Sequence, residues 1–320
     1  MTVLVHKDGV TRKVDAVDPA WLTDEAREIV WVDLDHVGDG EKRLLSETFH
    51  FHELAVEDAV AESHHPKIEP YDKFLYVILH GILAGKKAKG FETQDIDFFL
   101  GRNYLVTVHL RSSRSIAEEH SVLARHGALL GDGPCALLHR IIDRMVDHYG
   151  PEVDGLEDRL DALEHRVFAG GKGNPLRDIL GLKSDIASLR RVTLPQRDVV
   201  NRLARREFVQ ISEALSYRFR DVHDHLVRLA DEAIFLQDRV TGLLDAYIST
   251  QSHRLNQVMK VLTVIATIFM PLTVLTGAFG MNVRLPGFPG GEPLQFWWIL
   301  GIMMVASAGM LWAFRKMDWL

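Results

Sequence analysis

The sequence predicts an α+β domain at the N-terminus, followed by long antiparallel helices, a long stalk helix and two membrane-spanning helices at the C-terminus. Three observations predict this. The chain of 320 residues averages 47% apolar and 25% charged, but its polarity is uneven: up to about residue 255 it is charged and mixed, and beyond that mostly apolar. The segments Val261 to Phe279 and Phe296 to Phe314 contain no charged residue. Short β-rich runs stop near Gly133, and from Pro134 onward apolar residues recur every three or four positions.

Residues 1–133 read as the α+β domain. Val30 to Leu34 is a short strand, and Glu41 to Val60 is two short helices broken near His50. Phe74 to Leu83 and Phe91 to Leu100 are strands joined by the turn-rich Ala84 to Gly90, which makes them a hairpin. Tyr104 to Leu110 is a further strand, and Ser115 to Leu130 reads as a helix.

Residues 134–207 read as a charged antiparallel helical hairpin. Leu137, Ile141, Met145 and His148, then Leu156, Leu160, Leu163 and Val167, form one stripe. Ala169 to Pro175 breaks it, and Leu176 to Glu207 begins another helix. Asp143, Asp147, Glu152, Asp154, Glu157, Asp158, Asp161 and Glu164 crowd the first of these helices. They suit a solvated face, or a lure that concentrates cations. Within Pro195-Gln196-Arg197-Asp198, the proline bends the helix and the charged pair can link helices. Residues 208–258 read as the stalk. No glycine-proline break interrupts Phe208 to Phe279, so one helix of roughly 105 Å is expected at 1.5 Å per residue.

Residues 259–320 form the membrane domain, with the first span at 261–279, a loop at 280–295 and the second span at 296–314. Each span can cross about 30 Å of hydrocarbon as a helix. Pro271 lies inside the first, where a membrane helix tolerates it. Arg254 and Lys260 precede the first span, Arg315 and Lys316 follow the second, and the loop holds only Arg284 and Glu292. The positive-inside rule then places both termini in the cytosol and the loop outside, in the cell (inner) membrane. The lone Cys135 allows no disulfide within the chain and fits a reducing compartment. The first residues lack a basic stretch followed by a long apolar core, so no cleaved signal peptide is expected. A net charge of −7 gives no reason to expect nucleic acid as a partner.

Two helices cannot enclose a water-filled path, so conduction would require several copies around an axis. Asn256, Met259, Leu262 or Thr263, Ala266, Met270, Thr273 and Gly277 share one face of the first span, at the seam period of bundled helices. Idle polarity is costly in a membrane, which favours a pore-lining role, with Met259, Leu262 and Met270 as constrictions that gate by dewetting. The same spacing also serves a helix-packing interface, where small and hydroxyl residues aid close approach. Just past the helix stand Gly280, Met281 and Asn282. A ring of Asn282 amides can hold a hydrated cation without stripping it, which suits Mg2+. Among 16 histidines, His225 shares a helical face with Asp221 and offers a weak zinc site. His50, His52, His64 and His65 read as surface or capping residues. No P-loop, nucleophile elbow, HExxH or paired-cysteine motif is present, so neither an enzyme nor a bound cofactor is expected.

The segments Asn256 to Thr263 and Ile268 to Thr273, followed by Gly280-Met281-Asn282, resemble the CorA family of two-transmembrane divalent-cation channels. Similar stretches occur at Trp31 to Asp35, Leu54 to Ala59, Pro66 to Glu69, Pro195 to Val199, Phe219 to Val222 and Trp319-Leu320. The resemblance implies a homopentameric funnel, a pore lined by the first span at Asn256, Met259, Leu262, Met270, Thr273 and Gly277, and a filter at Asn282. It also implies a regulatory metal at Asp221, completed by a carboxylate on a neighbouring hairpin. Here that hairpin position falls near Gly85, beside Lys86 and Lys87, and carries no carboxylate. The loop Val283 to Pro293 is rich in glycine and proline and looks more like the zinc-transporting ZntB branch.

Three functions follow. The first is a gradient-driven channel for Mg2+, with Co2+ and Ni2+. The second is a ZntB-like zinc carrier, with or without coupling to protons. The third is a non-conducting, membrane-anchored helical sensor or structural protein.

Overall fold

The computed structural model describes residues 1–23, 25–61, 65–83, 91–169, 174–281, 292–317 and 319. The chain forms two compact units, Met1–Leu244 and Asp245–Leu320.

The first unit is built on a seven-stranded sheet of order β2-β1-β3-β7-β6-β5-β4. The strands are β1 (Thr2–Lys7), β2 (Val10–Val14), β3 (Ile29–Leu34), β4 (Lys67–Pro70), β5 (Leu75–Ile82), β6 (Thr93–Leu100) and β7 (Tyr104–Val108). All neighbours are antiparallel except β3 and β7. That central parallel pair is buried along almost its whole length, and its sequence is apolar apart from Asp33, Tyr104 and Thr107. The hairpin expected around residues 84–90 is formed by β5 and β6, paired from Leu75↔Leu100 to Ile82↔Thr93. Its tip, including Gly85, Lys86 and Lys87, lies outside the described residues.

Short helices α1 (Asp39–Arg43) and α2 (Glu53–Val60) follow β3. A π-helical turn, Leu44–Thr48, extends α1. The break expected near His50 is real: His50 adopts a left-handed φ of 55°, and the His52 side chain accepts the Leu54 amide to cap α2. Phe49, Phe51, Ala55 and Ala59 pack on Tyr76, Ile78, Phe99 and Val106 of the sheet.

The helix expected over Ser115 to Leu130 stops early. Helix α3 spans Arg114–Arg125, and a 3-10 turn spans Gly127–Asp132. His126 leaves the helical region, and the Thr11 hydroxyl donates to the Gly127 carbonyl at 2.6 Å, tying that turn to β2.

Beyond it lie α4 (Pro134–Asp147), α5 (Tyr149–Phe168) and α6 (Pro175–Ala204). The expected stripe is buried at Leu137, Ile141 and Met145 in α4 and at Leu156, Leu160, Leu163 and Val167 in α5, while His148 between them is half-buried. Ion pairs Arg159–Asp185 at 2.8 Å and Arg166–Asp178 at 2.9 Å show that α5 and α6 run antiparallel. The charged pair after Pro195 does not link helices. Arg197 pairs with its neighbour Asp198 at 2.9 Å, and the link is made by buried Gln196 instead. Its amide accepts from the His80 amide at 2.9 Å and donates to the Tyr149 hydroxyl at 3.1 Å, joining α6, β5 and α5.

Helix α7 runs Glu213–Phe279, starting later than Phe208, because the chain turns at Arg206, with a left-handed φ of 58°. Arg239 of α7 holds α5 by Asp161 at 2.7 Å, Glu164 at 2.9 Å and Glu157 at 3.5 Å. Part of the acidic face is therefore neutralised from within the chain. Partly solvated pairs of this kind are each worth a fraction of a kcal/mol. Arg239→Met is expected to lower stability by about 1 kcal/mol. Thermal unfolding at low and high salt checks this, because the loss should shrink as salt screens the pairs.

In the second unit, residues 245–279 of α7 are followed by α8 (Glu292–Lys316). Both helices are long and apolar enough to cross a membrane.

Candidate cation pathway

Helix α7 has two unlike sides where it is apolar. Val264 is buried, and Ile268, Pro271, Leu272, Leu275 and Ala278 are half-buried. At 100° per residue these positions cluster on one side. Asn256, Met259, Leu262, Ala266, Met270, Thr273 and Gly277 are all exposed. Their mean direction lies roughly 160° from the covered side by the same helical geometry. The predicted stripe is thus the open side of the helix, with Met259, Leu262 and Met270 at 64, 65 and 73% exposure.

The polarity of that side suits a cation. The Thr263 and Thr273 hydroxyls donate to the carbonyls of Met259 and Phe269, each at 2.8 Å. With the proton committed to the helix, each oxygen retains acceptor lone pairs. Nothing lies within 4 Å of a Cβ added at Gly277, so the close approach that this glycine permits is open to a neighbouring chain.

Helix α7 ends at Phe279. The Gly280 amide donates to the Thr276 carbonyl at 2.9 Å, and a Cβ at Gly280 would stand 3.0 Å from that oxygen. Glycine therefore lets the chain leave the helix tight against its last turn. Met281 is exposed. Asn282 and the loop through Gly291, Arg284 included, lie outside the described residues.

A second constellation sits in the first unit. Asp221 is exposed and His225 half-buried on α7. Both are within electrostatic reach of Asp143 on α4. Burial raises the Asp143 carboxyl above its usual range, and Asp147 and Asp221 push the same way against His139 and His225. His139 is buried, its Nδ1 has no hydrogen-bond partner, and burial lowers its pKa. The sequence reading missed these α4 partners. The signal was two i, i+4 series, His139-Asp143-Asp147 and Asp221-His225, which only tertiary packing brings face to face. Among the described residues, no three His, Cys, Asp or Glu side chains are arranged to hold a metal. His223 is paired with Asp224 at 3.3 Å.

A family model described as CorA-like Mg2+ transporter protein matches residues 26–316. The chain belongs to the CorA family. The Bacillus subtilis protein YfjQ is 32% identical over 312 residues, which cover 96% of this chain and 92% of that one. The cobalt/magnesium transport protein CorA of Thermotoga maritima is 30% identical over 297 residues, covering 91% and 83%. The complete structure of the CorA magnesium transporter from Methanocaldococcus jannaschii shares the fold, with a TM-score of 0.83 at 24% identity over 100% of this chain and 99% of that one. As a CorA-family protein, the chain is a membrane transporter of divalent cations and not an enzyme. Its apolar helices in α7 and α8 are then the membrane spans.

Proposed function

We propose that the chain conducts Mg2+, and with it Co2+ and Ni2+, through a homopentameric pore walled by the open side of α7. The observation that carries this is the segregation of α7: its covered side is wholly apolar, and the opposite side carries Asn256, Thr273, Gly277 and the exposed methionines. Five copies with that side turned inward would place Asn256 at one end and Asn282 at the other. Between them, rings of Met259, Leu262 and Met270 would make dry constrictions that pass ions only when wetted. Mg2+ sheds water reluctantly, so neutral amides that grip its hydration shell suit it better than a cage of carboxylates. The charge flanks of the two spans support cytosolic termini and an external Gly280-Met281-Asn282 filter. Uptake through such a pore is driven by the gradient alone. A divalent ion crossing 100 mV gains about 4.6 kcal/mol, at roughly 2.3 per charge.

Asp221 and His225, within electrostatic reach of Asp143, are the residues we assign to a regulatory metal. The hairpin lysines near Gly85 argue that it binds Mg2+ weakly. Two observations favour zinc as a second reading: the Gly/Pro-rich loop Val283 to Pro293, and that missing hairpin carboxylate.

Purified protein in liposomes separates the readings by dye-reported uptake of Mg2+ against Zn2+, with and without a pH gradient. Mg2+ uptake indifferent to the pH gradient is expected. Zinc uptake that tracks the proton gradient would replace the magnesium reading. No flux of either ion would leave only the non-conducting anchor.

A further inference from the structure

A cleft of about 460 Å3 opens between the end of α6 and the first turns of α7. It lies in the first unit, and the transport reading makes no use of it. Three arginines line it: Arg205 and Arg206 from the turn after α6, and Arg220 from α7. Its two carboxylates are each engaged already, Glu213 by Arg206 at 3.7 Å and Asp224 by His223 at 3.3 Å. Among the described residues, Arg205 and Arg220 form no ion pair, unlike the nearby Arg202, held by Glu207 at 2.8 Å, and Arg239, held by three carboxylates. Three guanidinium groups against two carboxylates leave the cleft with one positive charge in excess.

An aromatic ring stands beside that charge. Tyr217 is 57% exposed, and the Arg220 guanidinium lies over it at 5.4 Å from the ring centroid. Guanidinium groups favour phosphate oxygens, to which they donate in pairs, and an exposed ring offers a stacking surface for a flat heterocycle. The volume falls within the range of small-molecule sites. The left-handed backbone at Arg206 turns the chain between α6 and α7, so that Arg205 and Arg206 line the same cleft as Arg220.

We propose that this cleft binds a nucleoside phosphate, with Arg205 and Arg220 donating to the phosphates and Tyr217 stacking on the base. The arrangement makes the first unit responsive to an anionic metabolite.

The test is calorimetric titration of the full-length protein in lipid nanodiscs, with Mg2+ chelated, so that binding is read without flux. ATP, tripolyphosphate and adenosine are compared. ATP should bind, and Arg205→Ala with Arg220→Ala should weaken it at least tenfold. Tyr217→Ala should weaken ATP and leave tripolyphosphate unchanged. Glu213→Gln removes a carboxylate from the cleft and should tighten ATP, an effect that misfolding cannot produce. No ATP binding at millimolar concentration, or binding that none of these variants alters, overturns the site. Tripolyphosphate binding as tight as ATP and indifferent to Tyr217 overturns the nucleoside.

Discussion

Asn282→Ala is expected to abolish divalent-cation uptake while the oligomer survives detergent sizing. Helix α7 ends at Phe279, and Gly280 folds its amide back onto the Thr276 carbonyl at 2.9 Å. Asn282 is the third residue in sequence after this helix end, and the proposed pore would set it at the mouth of the stripe from Asn256 to Gly277. In the proposed filter its carboxamide would offer an oxygen to the ion or to its water shell, and it carries no charge that would trap the ion. A single hydrogen bond to a charged group is worth about 1.5 to 3 kcal/mol. Losing even one at the entry barrier slows passage roughly tenfold, and a ring of five loses them together. Alanine cannot replace that acceptor, yet it removes little packing. Uptake by Asn282→Ala proteoliposomes at the wild-type rate would count against the filter; a variant that runs as monomers would reveal an assembly role instead.

What the sequence made legible follows from the reach of each signal. Helix and membrane signals are local and periodic, so the stripe in α5, the long α7 and both spans could be read from spacing alone. The break at His50 was legible because apolar runs lie on both sides of it. Strands β1, β2 and β4 were not read. In β2, Val10-Thr11-Arg12-Lys13-Val14 is an exposed edge strand whose charges guard against pairing with another chain, and those charges hide the apolar alternation. The early end of α3 depends on Thr11 reaching Gly127, a contact across more than a hundred residues that no window of sequence can contain. The proposed pore-lining stripe was legible as a face, but not as the open face. Only the half-burial of Ile268, Leu272 and Leu275 decides that. The α4 partners of Asp221 were legible as an acidic run, but not as its neighbours.

Asp33→Ala is expected to destabilise the first unit by about 3 to 5 kcal/mol, the range for removing one partner of a buried charge pair. Asp33 lies on β3 with its side chain only 9% exposed. It accepts from the Thr107 hydroxyl at 2.6 Å, His109 Nε2 at 3.2 Å and His120 Nε2 at 2.8 Å. The Trp31 indole donates to Thr107 at 3.1 Å and stacks on His120 at 4.1 Å, so the carboxylate organises the contact between β3, β7 and α3. His109 presents its other nitrogen, Nδ1, to the Arg111 carbonyl at 2.7 Å. Both ring nitrogens face acceptors, so only the imidazolium satisfies both. Burial opposes that charge most strongly, but the hydrogen bond and charge of Asp33, with the Arg111 carbonyl and the Asp35 charge, together outweigh it and raise the His109 pKa. Burial alone would likewise raise Asp33, and the two histidines instead hold it well below the usual carboxylate range. The signs fix a pH window. The Asp33 contribution is full above its unfolded pKa of about 4 and is lost as pH falls toward its depressed folded value. The His109 contribution is full below its unfolded pKa of about 6.5 and is lost as pH rises through its raised folded value. The cluster should therefore stabilise most between about pH 4 and 6.5, and melting curves of wild type and Asp33→Ala should lie furthest apart there. At roughly 2 to 4 °C per kcal/mol for a unit of this size, the gap should be on the order of 10 °C. A variant that melts with wild type throughout would show that His109 is neutral and Asp33 no more than one more polar contact in the sheet.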